Sequence, residues 1–165
     1  MQTQNRPGPL PTLPADGDRE SLVGLYFRDA SRFQMLTEPG ERRLARKLVT
    51  SLQVIRQQLA LPAETPHTLR DVLGSLGDAC ALPGRCRRAY RLALACRQRL
   101  IESNLRLAVH IARCYSQHGI PMSDLIQDAN VGLIKAVERY DPGKGFRFST
   151  YAYWCISEEV RRRPG

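Results

Sequence analysis

Five aromatic side chains fall within nine consecutive positions of this sequence, in the stretch FRFSTYAYW. They are Phe146, Phe148, Tyr151, Tyr153 and Trp154, nearly half of the eleven aromatic residues in the chain. A core helix or strand sets its rings among aliphatic residues, whereas these rings alternate with arginine and hydroxyl side chains. The rings therefore either form a small core of their own or lie at a polar surface and contact a partner.

The composition indicates which partner such a surface would meet. The chain has 165 residues, a formal net charge of +9 and a pI near 9.8. Nucleic acid is the first candidate for an anionic partner and a membrane surface the second. Arginine supplies 22 of the 25 basic residues, a bias that suits phosphate recognition and that a GC-rich genome would also produce. No run approaches the roughly 20 apolar residues of a membrane span, so the sequence predicts a soluble protein with no membrane partner.

The cysteine and histidine residues form no catalytic or metal-binding pattern. Five cysteines, an odd number, follow an N-terminus without a signal peptide, which predicts reduced thiols in a cytoplasmic protein. No CxxC pair is present, so we predict no metal site. The three histidines are scattered, and neither a nucleophile–base pair nor a phosphate-binding glycine loop is present. We therefore predict no enzymatic activity and no cofactor.

Apolar residues recur at a spacing of three to four over much of the chain, which predicts an all-α fold without a β-sheet. Residues 1–19 are rich in proline and are predicted to be disordered. Residues 61–84 hold prolines and glycines and are predicted to form a connection with a short helix at Leu69–Leu76. N-caps are expected at Thr37, at Ser123, and at Ser149 or Thr150, and a turn is expected at Asp141–Gly145. The other predicted helices run from Glu20 to about Ala30, from Thr37 to Pro62, from Arg85 to Tyr115, from Ser123 to Tyr140 and from Tyr151 to about Arg163.

Two predicted helices carry an unusual outer face. The helix over residues 85–115 has eight arginines against one acid, Glu102. This face is either simply solvated or follows the phosphates of a nucleic acid. On the next helix, Val131 and Ile134 lie within or beside a polar face. They are either a protein-binding patch or two isolated surface aliphatics. The polar residues of that face are Asp124, Gln127, Asp128, Lys135 and Glu138.

From about Arg99 to Trp154 the sequence resembles region 2 of bacterial sigma factors of the housekeeping, sigma-seventy, family. The motifs that carry the resemblance are ESNLRL, DLIQDANVGLIKAV, YDPGKG and GFRFSTYAYW. Residues 20–48 resemble region 1.2 of the same family. The resemblance implies a compact helical bundle of the region 1.2–2 type. It divides the chain into a tail (1–19), region 1.2-like helices (20–60), a variable connection (61–84) and a region 2-like part (85–165).

The family implies a cytoplasmic bacterial transcription initiation factor, located at the nucleoid through polymerase. It would bind the clamp helices of the largest subunit of core RNA polymerase and capture the non-template strand of the promoter −10 element. Rings that stack on extracted bases would offset the cost of opening the duplex. The polymerase-facing residues would be Asp124, Gln127, Asp128, Asn130, Val131 and Ile134. The DNA-facing residues would be Phe146, Arg147, Phe148, Ser149, Thr150, Tyr151, Trp154, Asn104, Leu107, Phe27, Arg28 and Glu158.

The sequence departs from the family pattern at two positions near its end. Cys155 stands where the family has the second of two tryptophans. Glu158 replaces a glutamine that reads the first base pair of the element. A carboxylate accepts a hydrogen bond from cytosine but offers no donor to adenine, which predicts a changed upstream preference or weaker double-strand reading.

The sequence stops before the regions that read the −35 element in the family. Three interpretations follow: a piece of a longer protein, a short sigma factor, or a relic that keeps its grip on polymerase. The alternative function is a sigma mimic or regulator that occupies the clamp site without full promoter recognition. An additional regulator or an anti-sigma protein is a further candidate partner.

Overall fold

The computed structural model describes residues 22–60, 82–116 and 119–162. Within these ranges all the regular secondary structure is helical, which confirms the predicted all-α class. The predicted tail, the short helix at Leu69–Leu76 and most of the predicted connection lie outside the described residues. No described helix is both long enough and apolar enough to cross a membrane. The helices are α1 (Leu22–Ser31), α2 (Glu38–Gln58), α3 (Gly84–Cys114), α4 (Met122–Arg139) and α5 (Phe148–Arg161), with a 3₁₀ turn at Pro142–Lys144 between α4 and α5.

The start of α2 agrees with the N-cap predicted from the sequence, whereas the starts of α4 and α5 do not. The hydroxyl of Thr37 accepts a hydrogen bond from the Gly40 N–H at 3.4 Å, so the predicted N-cap is confirmed. The predicted cap at Ser123 is wrong, because Pro121 precedes α4 and its ring fixes φ near the helical value. The caps expected at Ser149 or Thr150 are also wrong. Helix α5 begins at Phe148, whose burial draws the first turn into the core.

Helix α3 organises the bundle. It has 31 residues and is about 46 Å long at 1.5 Å per residue. It packs against each of the other four helices, and the α2–α3, α3–α4 and α4–α5 pairs form most of the core. The arginines near the start of α3 are exposed, whereas Arg97, which pairs with Glu138, and Arg113, which lies over the Phe27 ring, contact neighbouring helices. Fully buried large side chains of the core include Ile55, Leu100, Ile111, Leu125, Leu133, Phe148 and Ile156.

A close helix crossing positions α5, the helix that carries four of the five aromatic residues of the stretch 146–154. A Cβ atom at Gly132 of α4 would lie 2.7 Å from the Ile156 Cα and 3.0 Å from the Cys155 carbonyl oxygen. Only glycine allows this approach, because both neighbours are backbone atoms that cannot rotate away. A Lys135–Glu159 ion pair of 2.6 Å, partly shielded from solvent, joins the same two helices beside the crossing.

The chain enters α5 through the predicted turn. The Asp141 carboxylate accepts a hydrogen bond from the Gly143 N–H at 2.8 Å, which closes the 3₁₀ turn. Gly145 follows with φ of +79°, in the left-handed region that glycine adopts without a steric cost. The turn at Asp141–Gly145 is thus confirmed, and it places Phe146 at the surface immediately before α5.

Candidate nucleic-acid and polymerase interface

Two rings of the aromatic stretch are open to solvent. Phe146 and Trp154 each expose 63% of their surface, more than any other large hydrophobic residue in the described part of the chain. Tyr151 and Tyr153 are half-buried between them in sequence. We call these four side chains the aromatic ledge. Exposed rings of this size are typical of a binding surface rather than of a core.

A small aromatic core supports the ledge. The Phe148 ring is fully buried and meets the Tyr140 ring edge-on, with centroids 5.2 Å apart. The Tyr140 ring also lies 6.0 Å from the Tyr151 ring, and its hydroxyl donates a hydrogen bond to the Phe146 carbonyl oxygen. Both arrangements that the sequence left open therefore occur together. Phe148 differs from the placement that the family resemblance implies, because its buried ring leaves no face for a base.

The tryptophan stands beside a tyrosine and a protected thiol. The rings of Tyr153 and Trp154 are 6.2 Å apart and nearly perpendicular. Cys155 is half-buried, and burial raises the pKa of its thiol while a hydrogen bond to Tyr151 lowers it. A thiol with a raised pKa is a weak nucleophile. Cys155 therefore acts as a small packing residue where the family pattern has a second ring.

The polar residues of the aromatic stretch, residues 146–154, face either solvent or α2. Thr150 is exposed and Ser149 is half-buried. Arg147 is half-exposed and points toward two α2 carboxylates, at 3.8 Å from Glu38 and 3.9 Å from Glu41. Part of the Arg147 charge is therefore already balanced within the fold. The remaining exposed guanidinium surface is what a phosphate would contact.

Glu41, in the first turn of α2, is a buried carboxylate. Its residue is only 4% exposed, and its Oε2 atom accepts no hydrogen bond. Burial raises the pKa of Glu41 above its ordinary value of 4.5. Arg147 and a backbone hydrogen bond from Ser149 lower it, and Glu38 raises it further. Glu41 thus joins α2 to the start of α5, where the ledge begins.

The Glu41→Gln variant should change how stability depends on pH. The folded protein binds the Glu41 proton more tightly than the unfolded chain does. The contribution of this carboxyl to stability is therefore complete below its ordinary pKa and is lost as the pH rises through the raised pKa. Wild type should lose stability relative to the glutamine variant as the pH rises from about 4.5 through the raised pKa of Glu41, as measured by urea unfolding at a series of pH values. Asp29→Asn, at an exposed carboxylate of α1, is the control, and parallel curves for wild type and Glu41→Gln would contradict the expectation.

Two of the residues that the resemblance assigns to DNA, Asn104 and Leu107, lie on α3 and are less exposed than Phe146 and Trp154. Asn104 is buried, and its amide donates hydrogen bonds to the Leu100 carbonyl at 2.9 Å and the Ser103 hydroxyl at 3.2 Å. Leu107 is half-buried against the core. The Asn104 amide hydrogens therefore serve α3 itself, and Leu107 offers part of an apolar surface.

Two further residues that the resemblance assigns to DNA, Phe27 and Arg28, lie on α1. Arg28 is exposed, and Phe27 is half-buried with the Arg113 guanidinium 5.1 Å from its ring centroid. A second contact of this kind joins α3 to α5, where the Arg161 Nε donates to the Tyr115 hydroxyl at 2.8 Å. The sequence analysis did not find these two arginine–aromatic contacts, because each joins residues far apart in the chain.

The C-terminal end of the ledge, beside Trp154, has side chains of both charges. Trp154, Glu158, Arg161 and Arg162 line a shallow groove of about 480 Å³ together with Ser157. The exposed Glu158 carboxylate lies 3.9 Å from the Arg162 guanidinium. A carboxylate is thus present where the family pattern has an amide, with a cation next to it.

The outer face of α4 contains the predicted polymerase-facing residues. Val131 is 43% exposed, Gln127 is exposed and Ile134 is half-buried. Asn130 instead turns toward α1, where its Oδ1 accepts a hydrogen bond from the Tyr26 hydroxyl at 2.8 Å. The two carboxylates of this face, Asp124 and Asp128, are half-buried.

Comparisons with known proteins cover the same elements. The family described as Sigma-70 region 2 matches residues 100–163, which include the end of α3 and all of α4 and α5. The RNA polymerase sigma factor SigA of Nostoc sp. is 37% identical over 145 residues, 87% of this chain and 36% of that protein. The RNA polymerase principal sigma factor HrdC of Streptomyces coelicolor is 31% identical over 155 residues, 91% of this chain and 41% of that protein. The chain therefore spans well under half the length of these relatives. Through its region 2, the chain belongs to the sigma-70 family of sigma factors.

Proposed function

We propose that this chain binds core RNA polymerase through the outer face of α4 and captures the unpaired non-template strand of the promoter −10 element on the aromatic ledge. The observation that carries the proposal is the exposure of Phe146 and Trp154 on a segment that the buried rings of Phe148 and Tyr140 anchor to the core. Because the backbone of this segment is already ordered in the free protein, less conformational entropy is lost on binding.

The energetics of stacking suit strand capture without catalysis. Extracting a base from a duplex costs a few kcal/mol of stacking and pairing. An aromatic platform returns about 1–3 kcal/mol per base, so two exposed rings offset much of that cost. Exposed arginines beside the ledge, such as Arg147, and on α3 balance the phosphates, so binding weakens as the salt concentration rises.

The α4 face supports the polymerase half of the proposal. An exposed valine with half-buried carboxylates on the same helix face resembles the apolar centre and polar rim of a protein interface. Both relatives, SigA and HrdC, are named as sigma factors of RNA polymerase. The clamp helices of the largest polymerase subunit are the proposed contact. Asn130 would act by holding α1 against α4 through Tyr26.

Val131→Asp should weaken binding to core RNA polymerase by about tenfold or more, because it places a charge at the apolar centre of the proposed interface. The side chain is exposed, so the thermal unfolding midpoint should stay close to that of wild type. Leu94→Asp, at an exposed leucine of α3, is the matched control. Affinity is measured by fluorescence titration of labelled chain with core polymerase. Equal losses in the two variants, or no loss in either, would contradict the assignment of the α4 face.

Transcription in vitro separates this function from the sigma mimic. The mimic is favoured by one observation: Cys155 and the exposed Glu158 carboxylate alter the DNA-reading end of α5, whereas the α4 face keeps its exposed valine. Core polymerase with this chain should yield transcripts that depend on the promoter. If the chain only suppresses the transcripts of another sigma factor, the DNA half of the proposal is wrong and the mimic is supported.

A further inference from the structure

A groove remains that neither the ledge nor the α4 face uses. It lies between α2 and the first turns of α3 and has a volume of about 770 Å³. Its cationic side chains are Arg42, Arg43, Arg46, Lys47 and Arg88. We call this feature the cationic groove. Its volume is within the range of specific binding sites, and five cations in one groove indicate an anionic ligand.

The charge of the cationic groove is largely uncompensated. Glu38 is the one carboxylate among the described residues that line it, and this residue forms an ion pair with Arg42 at 3.3 Å. No ion pair joins Arg43, Arg46 or Arg88 to a carboxylate of the described residues. Like charges held this close together repel one another, so a ligand that supplies carboxylates or phosphates would relieve the repulsion.

The spacing of the cations matches a helix of opposite charge. Arg42 and Arg46 are four residues apart on α2, as are Arg43 and Lys47, so each pair is separated by about 6 Å along the helix axis. Acidic side chains four residues apart on a second helix have the same separation. Arg88 faces these rows from α3. An acidic helix lying in the groove would therefore meet cations on both sides.

The same groove also exposes apolar surface, which selects between anionic partners. Leu92 is 45% exposed, and half-buried Val54 and Ala89 lie with it in the wall of the groove. A sugar–phosphate backbone is polar and gains little from contact with aliphatic side chains. An amphipathic helix, by contrast, buries its own leucines against such side chains. We propose that the cationic groove binds an acidic amphipathic helix of a partner protein. This interaction goes beyond the proposed capture of promoter DNA and is separate from it.

The test uses a synthetic peptide probe and the full chain, without polymerase or promoter. The probe is a fluorescein-labelled helical peptide of about 18 residues, with glutamates four apart on one face and leucines beside them. Fluorescence anisotropy measures its affinity for wild type and two triple variants. One variant reverses the groove charges: Arg43→Glu, Arg46→Glu and Arg88→Glu. The control variant reverses exposed charges that lie outside the cationic groove: Arg85→Glu, Arg87→Glu and Arg91→Glu.

The two triple variants change the net charge equally, so their difference isolates the groove. The groove triple should lose about tenfold or more in affinity, and the control triple less than about threefold. Leu92→Gln should weaken the peptide several-fold without changing net charge. All substituted side chains are exposed, and circular dichroism melting checks that each variant folds.

Any of the following four results would overturn the inference. Equal losses in the two triples would show attraction to net charge alone. A peptide with lysine in place of glutamate that binds as well as the probe would remove the electrostatic basis. An oligonucleotide of about 20 bases that binds more tightly, and is weakened only by the groove triple, would make the groove a nucleic-acid site. Failure of the probe to bind wild type would also exclude the proposal.

Discussion

Replacing Gly132 with alanine is expected to destabilise the fold by about 1–3 kcal/mol, a large effect for a single added methyl group. The new Cβ would lie 2.7 Å from the Ile156 Cα and 3.0 Å from the Cys155 carbonyl oxygen. Neither atom can move by a change of rotamer, so α5 must shift away from α4. The shift would also loosen the Lys135–Glu159 ion pair and displace Trp154 from its supported position.

Urea unfolding measures the destabilisation, with Gly84→Ala as the matched control. Gly84 begins α3 and is exposed, and a Cβ added there meets no atom within 4 Å. The control should be unchanged or stabilised by up to about 1 kcal/mol, because alanine restricts the unfolded chain and favours a helix. Similar unfolding free energies for wild type and Gly132→Ala would show that the two helices do not require this close approach.

Local sequence rules predicted the helices well because their signals lie within a few residues of each other. The leucines of α2 recur at helical spacing, and the first turn is fixed by Thr37. The 31-residue α3 runs from Gly84 to Cys114, within one residue of both predicted ends, Arg85 and Tyr115. Where the prediction failed, a tertiary contact decided the outcome. Burial of Phe148 moved the start of α5 three residues upstream, which no local cap at Ser149 or Thr150 could indicate.

The candidate site was predictable in its ring content but not in its architecture. The alternation of rings with polar residues at a loop-to-helix junction gives no period, so sequence could not separate the buried Phe148 from the exposed Phe146. Glu41 and Gly132 were missed for a related reason. Each matters only through residues that are distant in sequence, Arg147 in one case and Ile156 in the other. A single sequence contains no signal for such contacts.

The ring substitutions should separate stacking from support. Phe146→Ala and Trp154→Ala should each weaken binding of single-stranded −10 DNA to the polymerase complex by about 1–3 kcal/mol, or roughly fivefold to 150-fold. Both side chains are 63% exposed, so their removal should change the unfolding free energy by about 0.5 kcal/mol or less. Phe148→Ala should instead cost about 3–5 kcal/mol of stability, because it leaves a cavity against Tyr140.

The strand affinity and the unfolding free energy, both measured on all three variants, distinguish the roles of the rings even if one variant does not fold. A conservative Phe148→Leu variant fills much of the cavity and keeps the protein folded, so its DNA affinity can be compared with that of the exposed-ring variants. A fluorophore-labelled non-template strand reports binding to the assembled complex, and urea unfolding reports stability of the free chain. If Phe146→Ala and Trp154→Ala lower stability but leave strand affinity unchanged, the ledge serves packing and another surface must hold the bases. If strand affinity falls while stability does not, the exposed rings bind the strand and the buried ring fixes where they stand.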